Sequence, residues 1–460
     1  MGLSDIRESI AGIRGADYAD LYASRGTSHS VKYEDGRMDT LSSSQYEGLG
    51  VRVAMGESSV YAHAIGTKMS DVNAAMAEAS DMSGLAITRC KGEGSLFEGA
   101  IRPMPPIETD FLRELDSSLR SECRYLKQVT FRYSASDKSV LIVRGDGSLA
   151  EEERFYTSFA VFVVVERGDV VETGYEVRSL KQGLGDFWSS SGLSRPDSPR
   201  NIAHSAMERA VKMLDARQCP AGTMTVLLDG RAGGAMIHEA CGHGLEADIV
   251  QKDFSTFRDK LGAAVANPVV NIVDDATLRG MWGSYSFDDE GTPAARNVLV
   301  ENGVLKSYMT DILSAKRGGL PLTGNGRRES YHDLPMPRMS NTFITPGSSS
   351  FEDMLSGMDS GLLVKKMGGG EVNPTSGDFV FQVTEGYLVE NGRVGPLVKG
   401  ATLAGNGPEA LMNIEAVGRD LTLDPGTCGK SGQGVPVTDG QPAILIKKMI
   451  VGGADAENAA

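Results

Sequence analysis

The stretch His238-Glu239-Ala240-Cys241-Gly242-His243, followed by Glu246 and Asp248, decides how the rest of the chain is read. It holds two of only six histidines, five residues apart, with a carboxylate directly after the first. Imidazole is the commonest protein ligand for zinc, and a Glu beside such a ligand is the usual base for the attacking water. The stretch points to a metal-dependent peptidase. The remainder of the chain then has to supply a third ligand, a wall for the substrate and a means of restricting access.

Spacing sharpens this reading. The familiar HExxH pattern sets its histidines four apart, on one helix face. Five steps at 3.6 residues per turn leave the second imidazole rotated by about 140° from the first. A regular α-helix cannot aim both rings at one ion, whereas a wider i→i+5 turn brings them back together. Gly242 lowers helix propensity at that point. A π-bulge or a break between Ala240 and His243 is therefore expected. The third ligand stays open on spacing alone. Cys241 is three residues after His238. Cys428 lies in a distant glycine-rich loop, Pro425–Gln433, where Lys430 favours a thiolate. Glu246 and Asp248 are carboxylate alternatives, or partners that orient an imidazole. The motif by itself is weakly specific, since two ordinary histidines on a buried helix give the same letters.

Length and composition bound the rest. A chain of 460 residues suggests two or three domains. The net charge of −15 argues against nucleic acid or an anionic membrane, both of which need basic patches. Five cysteines (Cys90, Cys123, Cys219, Cys241 and Cys428) are scattered without CxxC pairs, which suits a reducing cytoplasm. Leu3, Ile6, Ile10 and Ile13 space an amphipathic helix rather than a signal peptide, and no run approaches the roughly 18 apolar residues of a membrane span.

Along the chain, the expected class is α+β: mixed sheets with packed helices in two N-terminal units, then a larger, strand-rich C-terminal catalytic unit. Residues 1–90 form the first unit, with strands at Tyr18–Ser24, His29–Tyr33 and Gly48–Ala54 and a helix at Ser70–Ala86. Residues 91–106 are Gly/Pro-rich and read as a linker. Residues 107–216 form the second, with helices at Asp110–Leu126 and Asn201–Ala216. Its strands are Gln128–Ala135, Lys138–Arg144, Glu151–Glu166 and Val170–Ser179, and a turn is expected at Ser134–Asp137. Residues 221–455 form the third. Asn302-Gly303 and Asn391-Gly392, each between apolar runs, predict hairpins.

Several blocks of the third unit carry a resemblance: HEACGHGLEAD at 238–248, FDDEGTPAARNVLVENGVL at 287–305, TGNGRRESYHDLPMPRMSNTFI at 323–344, GDFVF at 377–381, and CGKSGQGVPV followed by GQP and VGG at 428–453. Together they resemble the TldD/PmbA family of metallopeptidases, in its catalytic TldD-like branch. The resemblance implies that His238, His243 and Cys428 hold one Zn2+ per catalytic subunit and that Glu239 is the catalytic carboxylate. It also implies cleavage of small or unfolded peptides, in a homodimer or a heterodimer with a PmbA-like subunit whose active site faces an internal channel. Arg327, Arg328 and Arg338 are candidates for binding a peptide carboxylate, and His332 for stabilising an oxyanion. The main alternative is a non-catalytic peptide-binding modulator subunit. A structural zinc held by four protein ligands and a different metal-dependent hydrolase are two more.

Overall fold

Six long strands drawn from both N-terminal units form one antiparallel sheet in the computed structural model, which describes residues 2–56, 58–189, 198–373 and 375–454. They are β1 (Tyr18–Glu34), β2 (Arg37–Met55), β3 (Ser58–Ile65), β4 (Leu126–Arg144), β5 (Leu149–Arg167) and β6 (Val170–Leu180), in the order β3-β2-β1-β4-β5-β6. The β1–β4 ladder, from Asp20↔Arg144 to Glu34↔Thr130, is what fuses the two units. Alternation drives the arrangement. Phe159, Val161, Val163 and Val165 of β5 all point inward and are buried, as a period of two requires.

Helices cover one face. Helix α1 (Gly2–Ala11) buries Ile6 and Ile10, and α2 (Met69–Ser83) buries Val72 and Met76, against Leu21, Leu49 and Val51. Helices α3 (Asp110–Glu122) and α4 (Pro199–Met213) pack Leu112, Leu119, Ile202 and Ala206 on Phe131 and Phe159.

Two expected interruptions are absent. β1 runs unbroken where two strands were expected, and β4 continues through the expected turn at Ser134–Asp137. Both segments are central, so Ser134 pairs with Ser30 on one side and Ser158 on the other. Pairing on both edges outweighs the weak strand preference of Ser and Asp. Gly26 serves the same crossing by lying against the Asp137 carbonyl, which a Cβ would meet at 2.4 Å.

The class is α+β. Among the described residues, parallel pairs occur only on strands that follow α4, such as Asn341–Ile344 with Gln433–Gln441 and Ser360–Val372 with Gly222–Leu228. Both asparagine-glycine pairs turn their hairpins with positive φ at each residue, 49° and 75° at Asn302 and Gly303 and 49° and 71° at Asn391 and Gly392. No helix among the described residues is long and apolar enough to cross a membrane.

A buried charge seam docks the C-terminal unit on the first sheet. Arg52 bonds Asp20 on β1 and, at 2.7 Å, Glu290 of the C-terminal unit. Arg154 on β5 meets Asp289 at 2.7 Å and Glu152 at 2.9 Å. Arg328 donates to the Asp289 carbonyl at 3.1 Å and lies over the Tyr22 ring. Each guanidinium here is paired on the spot, as burial of a charge demands.

Candidate metal centre

The key stretch starts as a short helical turn at Ala235–Ile237 and widens to a π-helical turn over His238–Gly242. The His243 amide donates to the His238 carbonyl, the i→i+5 bond that the five-residue spacing calls for. The two rings come to 4.9 Å between centroids, nearly perpendicular. Gly242 has an ordinary helical φ of −52°, so its role is space rather than conformational freedom. A Cβ there would lie 2.1 Å from the Met339 sulfur. Gly407 likewise lets the following segment approach the Ala240 carbonyl, which its Cβ would meet at 2.1 Å.

The other half of the site comes from a hairpin. Cys428 sits on Thr422–Lys430, paired with Val435 on Gln433–Gln441. Its Sγ lies 3.7 Å from His243 Nε2, and one ligating atom from each of His238, His243 and Cys428 falls within 4.8 Å of the others. The second strand of the same hairpin supplies Asp439, whose Oδ1 is 2.8 Å from His238 Nδ1. Glu246 Oε2 stands 3.1 Å from His243 Nδ1. Each imidazole is thus held by its own carboxylate at Nδ1, leaving Nε2 for the interior of the cluster. Lys430 bonds Glu246 at 3.0 Å and Asp248 at 2.6 Å.

Charge follows geometry. Burial pushes the Cys428 thiol up, but the His238 and His243 hydrogen bonds outweigh it and bring its pKa down to about 6. Burial also opposes ionisation of Glu246, yet Lys430 and His243 lower it to about 2. Cys241 takes a different path. Its thiol donates to the Ile237 carbonyl at 3.2 Å, and burial pushes it up to about 12. It lies outside the three-residue group.

The donor set fits a zinc ion. Ordinary zinc–nitrogen and zinc–sulfur bond lengths at a tetrahedral angle put the two ligand atoms about 3.6 Å apart, close to the Sγ–Nε2 separation here. Glu239 is half-buried and makes no side-chain hydrogen bond or ion pair among the described residues.

The remaining sequence candidates stand elsewhere. Arg327, Arg328 and Arg338 expose 3%, 2% and 0% of their surface, too little to meet a peptide from solvent. Arg327 donates to the Met339 carbonyl at 2.6 Å, and Arg338 donates to the Cys428 and Gln433 carbonyls, bracing the hairpin. His332 is exposed beside Asp333 and Ser330 and lies outside the three-residue group. Asp439 was missed by sequence reasoning because it acts through hairpin register, with no local signature of its own.

Family models identify the whole architecture. A PmbA/TldA metallopeptidase C-terminal domain matches residues 221–453, domain 1 of that family matches 19–83, and its central domain matches 103–214. The chain belongs to the PmbA/TldD metallopeptidase family. It is similar to the metalloprotease TldD homolog of Haemophilus influenzae, at 36% identity over 96% of this chain and 94% of that one. It is also similar to the zinc metalloprotease TldD homolog of Saccharolobus solfataricus, at 31% identity over 70% of this chain and 68% of the relative. The crystal structure of TldE from Thermococcus kodakarensis has the same fold, with a TM-score of 0.75 at 19% identity over 98% of this chain and 100% of that one.

Proposed function

We propose that the chain is a zinc-dependent peptidase of small or unfolded peptides, with Zn2+ held by His238, His243 and Cys428, one per catalytic subunit. The observation that carries this is the convergence of three ligating side chains within 4.8 Å, two of them aimed by dedicated carboxylates, beside the uncommitted carboxylate of Glu239. The names of the relatives, metalloprotease and zinc metalloprotease, support the same choice.

Among the described residues only three protein ligands meet here. A zinc ion held by these three residues would keep one position for water or substrate, the arrangement of a catalytic rather than a structural site. Cys241 is directed to a backbone carbonyl and Glu246 is committed to His243 and Lys430, so neither closes the tetrahedron.

When bound, zinc acidifies water and polarises a carbonyl. This chain's residues do the rest. Glu239 accepts a proton from the attacking water as its oxygen adds to the peptide carbonyl carbon. As the carbon–nitrogen bond breaks, Glu239 returns the proton to the leaving amine. Asp439 and Glu246 hold the imidazoles in the tautomer that presents Nε2, and Lys430 keeps Glu246 ionised and in place. Arg338 steadies the Cys428 hairpin rather than binding substrate. The assembly is a dimer, of two copies or with a PmbA-like subunit, that restricts access to the site through a channel. The five unpaired cysteines support a reducing compartment such as the cytoplasm.

Metal analysis and a peptidase assay on wild type, Glu239→Ala and Cys428→Ser test the reading together. Glu239→Ala should keep zinc and lose hydrolysis, and Cys428→Ser should lose both. Zinc-free wild type with Glu239 dispensable would instead identify a non-catalytic peptide-binding subunit.

A further inference from the structure

Strand β2 has two unlike halves. Residues 48–54 pair with β1 on one side and β3 on the other. Residues 37–46 pair only with β1, so among the described residues their outer edge meets no strand. The nine residues Arg37–Gln45 are exposed without exception, on both faces. Leu41 is 70% exposed and Met38 41%. Register shows why this matters. Leu41 pairs with Val31 and Met38 with Tyr33, so both exposed side chains extend the face on which Val31 and Tyr33 are buried. The apolar face of the sheet continues outward past the helices that cover it.

A free edge of this kind is ordinarily blunted by charge or proline. Thr40–Tyr46 (TLSSSQY) has neither. Of the two acids that flank it, Asp39 sits where the β1–β2 register shifts and is neutralised by Lys32 at 3.1 Å, and Glu47 accepts from the Thr67 hydroxyl at 3.3 Å. The chain as a whole carries −15, so two copies repel over most of their surface. A neutral seven-residue edge is where they can approach.

We propose that the exposed half of β2 pairs antiparallel with the same segment of a second copy of this chain, across a two-fold axis at Leu41. This rests on the dimer reading above and says which surface makes the dimer. In a symmetric antiparallel pair one residue faces its own copy. Leu41 is the centre of the exposed run 37–45, and it is the run's most exposed apolar side chain. Centring on Ser42 would drive Arg37 of the second copy against Gly66, whose amide already holds the Glu47 carbonyl at 3.1 Å. Centring on Ser43 would set Asp39 opposite Glu47. The Leu41 register avoids both, buries two leucines against each other, and joins two six-stranded sheets edge to edge.

The test uses the full chain. Leu41→Glu and Leu41→Lys, each placing like charges across the axis, should sediment as monomers at concentrations where wild type is a dimer. An equimolar mixture of the two should restore the dimer. Leu41→Cys should form a disulfide-linked dimer on mild oxidation, since the five native cysteines are buried and stay silent. Unchanged circular dichroism and Tm check that the exposed substitutions fold. A wild-type dimer that persists in both charged variants, together with a Leu41→Cys variant that forms no cross-link, overturns the edge pairing while leaving the dimer reading intact. A wild type that is monomeric alone, or that assembles only with a different subunit, overturns pairing between copies of this chain.

Discussion

The histidine–cysteine centre and the arginine–carboxylate seam are both buried polar clusters, and they solve the problem of burial in opposite ways. In the seam every charge meets its opposite: Arg52 has Asp20 and Glu290, and Arg154 has Asp289 and Glu152. The seam balances its charges internally, although Asp20 Oδ1, Arg52 Nη1 and Arg328 Nε have no hydrogen-bond partner among the described residues. At the metal centre the outer nitrogens are occupied, but the inner faces of His238, His243 and Cys428 converge on one another with only lone pairs and polarised protons to offer. On the proposed reading such a cluster is completed by a cation. Buried charge that satisfies itself holds a fold together, and buried donors left facing each other hold a ligand.

The comparison can be broken at either end. The largest effect is expected from Cys428→Ser, which should lose zinc and with it all hydrolysis, read by metal content and peptide cleavage. Glu239→Gln should lower kcat by about 10²- to 10⁴-fold, the usual contribution of a positioned acid–base group, with zinc content unchanged. In the seam, Arg154→Met should cost about 3–5 kcal/mol of stability by leaving the buried Asp289 without its ion-pair partner, whereas Glu152 keeps Lys181 at 2.5 Å; denaturant unfolding measures it, and metal stoichiometry should not change. Asp439→Asn should weaken zinc about 10- to 100-fold by loosening His238, measured by chelator competition.

The smallest effect concerns pH. Burial opposes the charge on Asp289, but Arg154 outweighs it and holds its pKa down at about 2. Because the folded value lies below the unfolded one, the stabilisation is present above about pH 4 and fades as pH falls toward 2. Acid titration of Tm should show this loss in wild type and a flatter curve in Asp289→Asn.

Much of the site was legible because helix geometry is unforgiving. Two histidines five apart cannot share a regular helical face, and the π-turn at His238–Gly242 is the distortion that follows. Gly242 was read for its flexibility, whereas its use is to admit Met339, a contact set 97 residues away that no local pattern encodes. The carboxylate partners divided in the same way. Glu246 lies three residues from His243 and was within reach of sequence reasoning. Asp439 depends on the hairpin register that also delivers Cys428, so only the folded chain brings it to His238. The unbroken course of β1 and β4 was hidden for a related reason. Ser134 and Asp137 have the composition of a turn and the surroundings of a central strand.

The distance in sequence between the two halves of the metal centre sets a waiting time. His243 precedes Cys428 by 185 residues, and the hairpin must be made and docked before the thiolate arrives. At roughly 5–20 residues per second, synthesis alone separates them by about 10–40 s. During that interval the nascent chain carries the histidines and Glu239 but lacks Cys428, the proposed third ligand. On the proposed reading, proteolytic chemistry is thereby deferred until the surrounding walls exist, so a half-made chain is poorly equipped to digest itself or its neighbours on the ribosome.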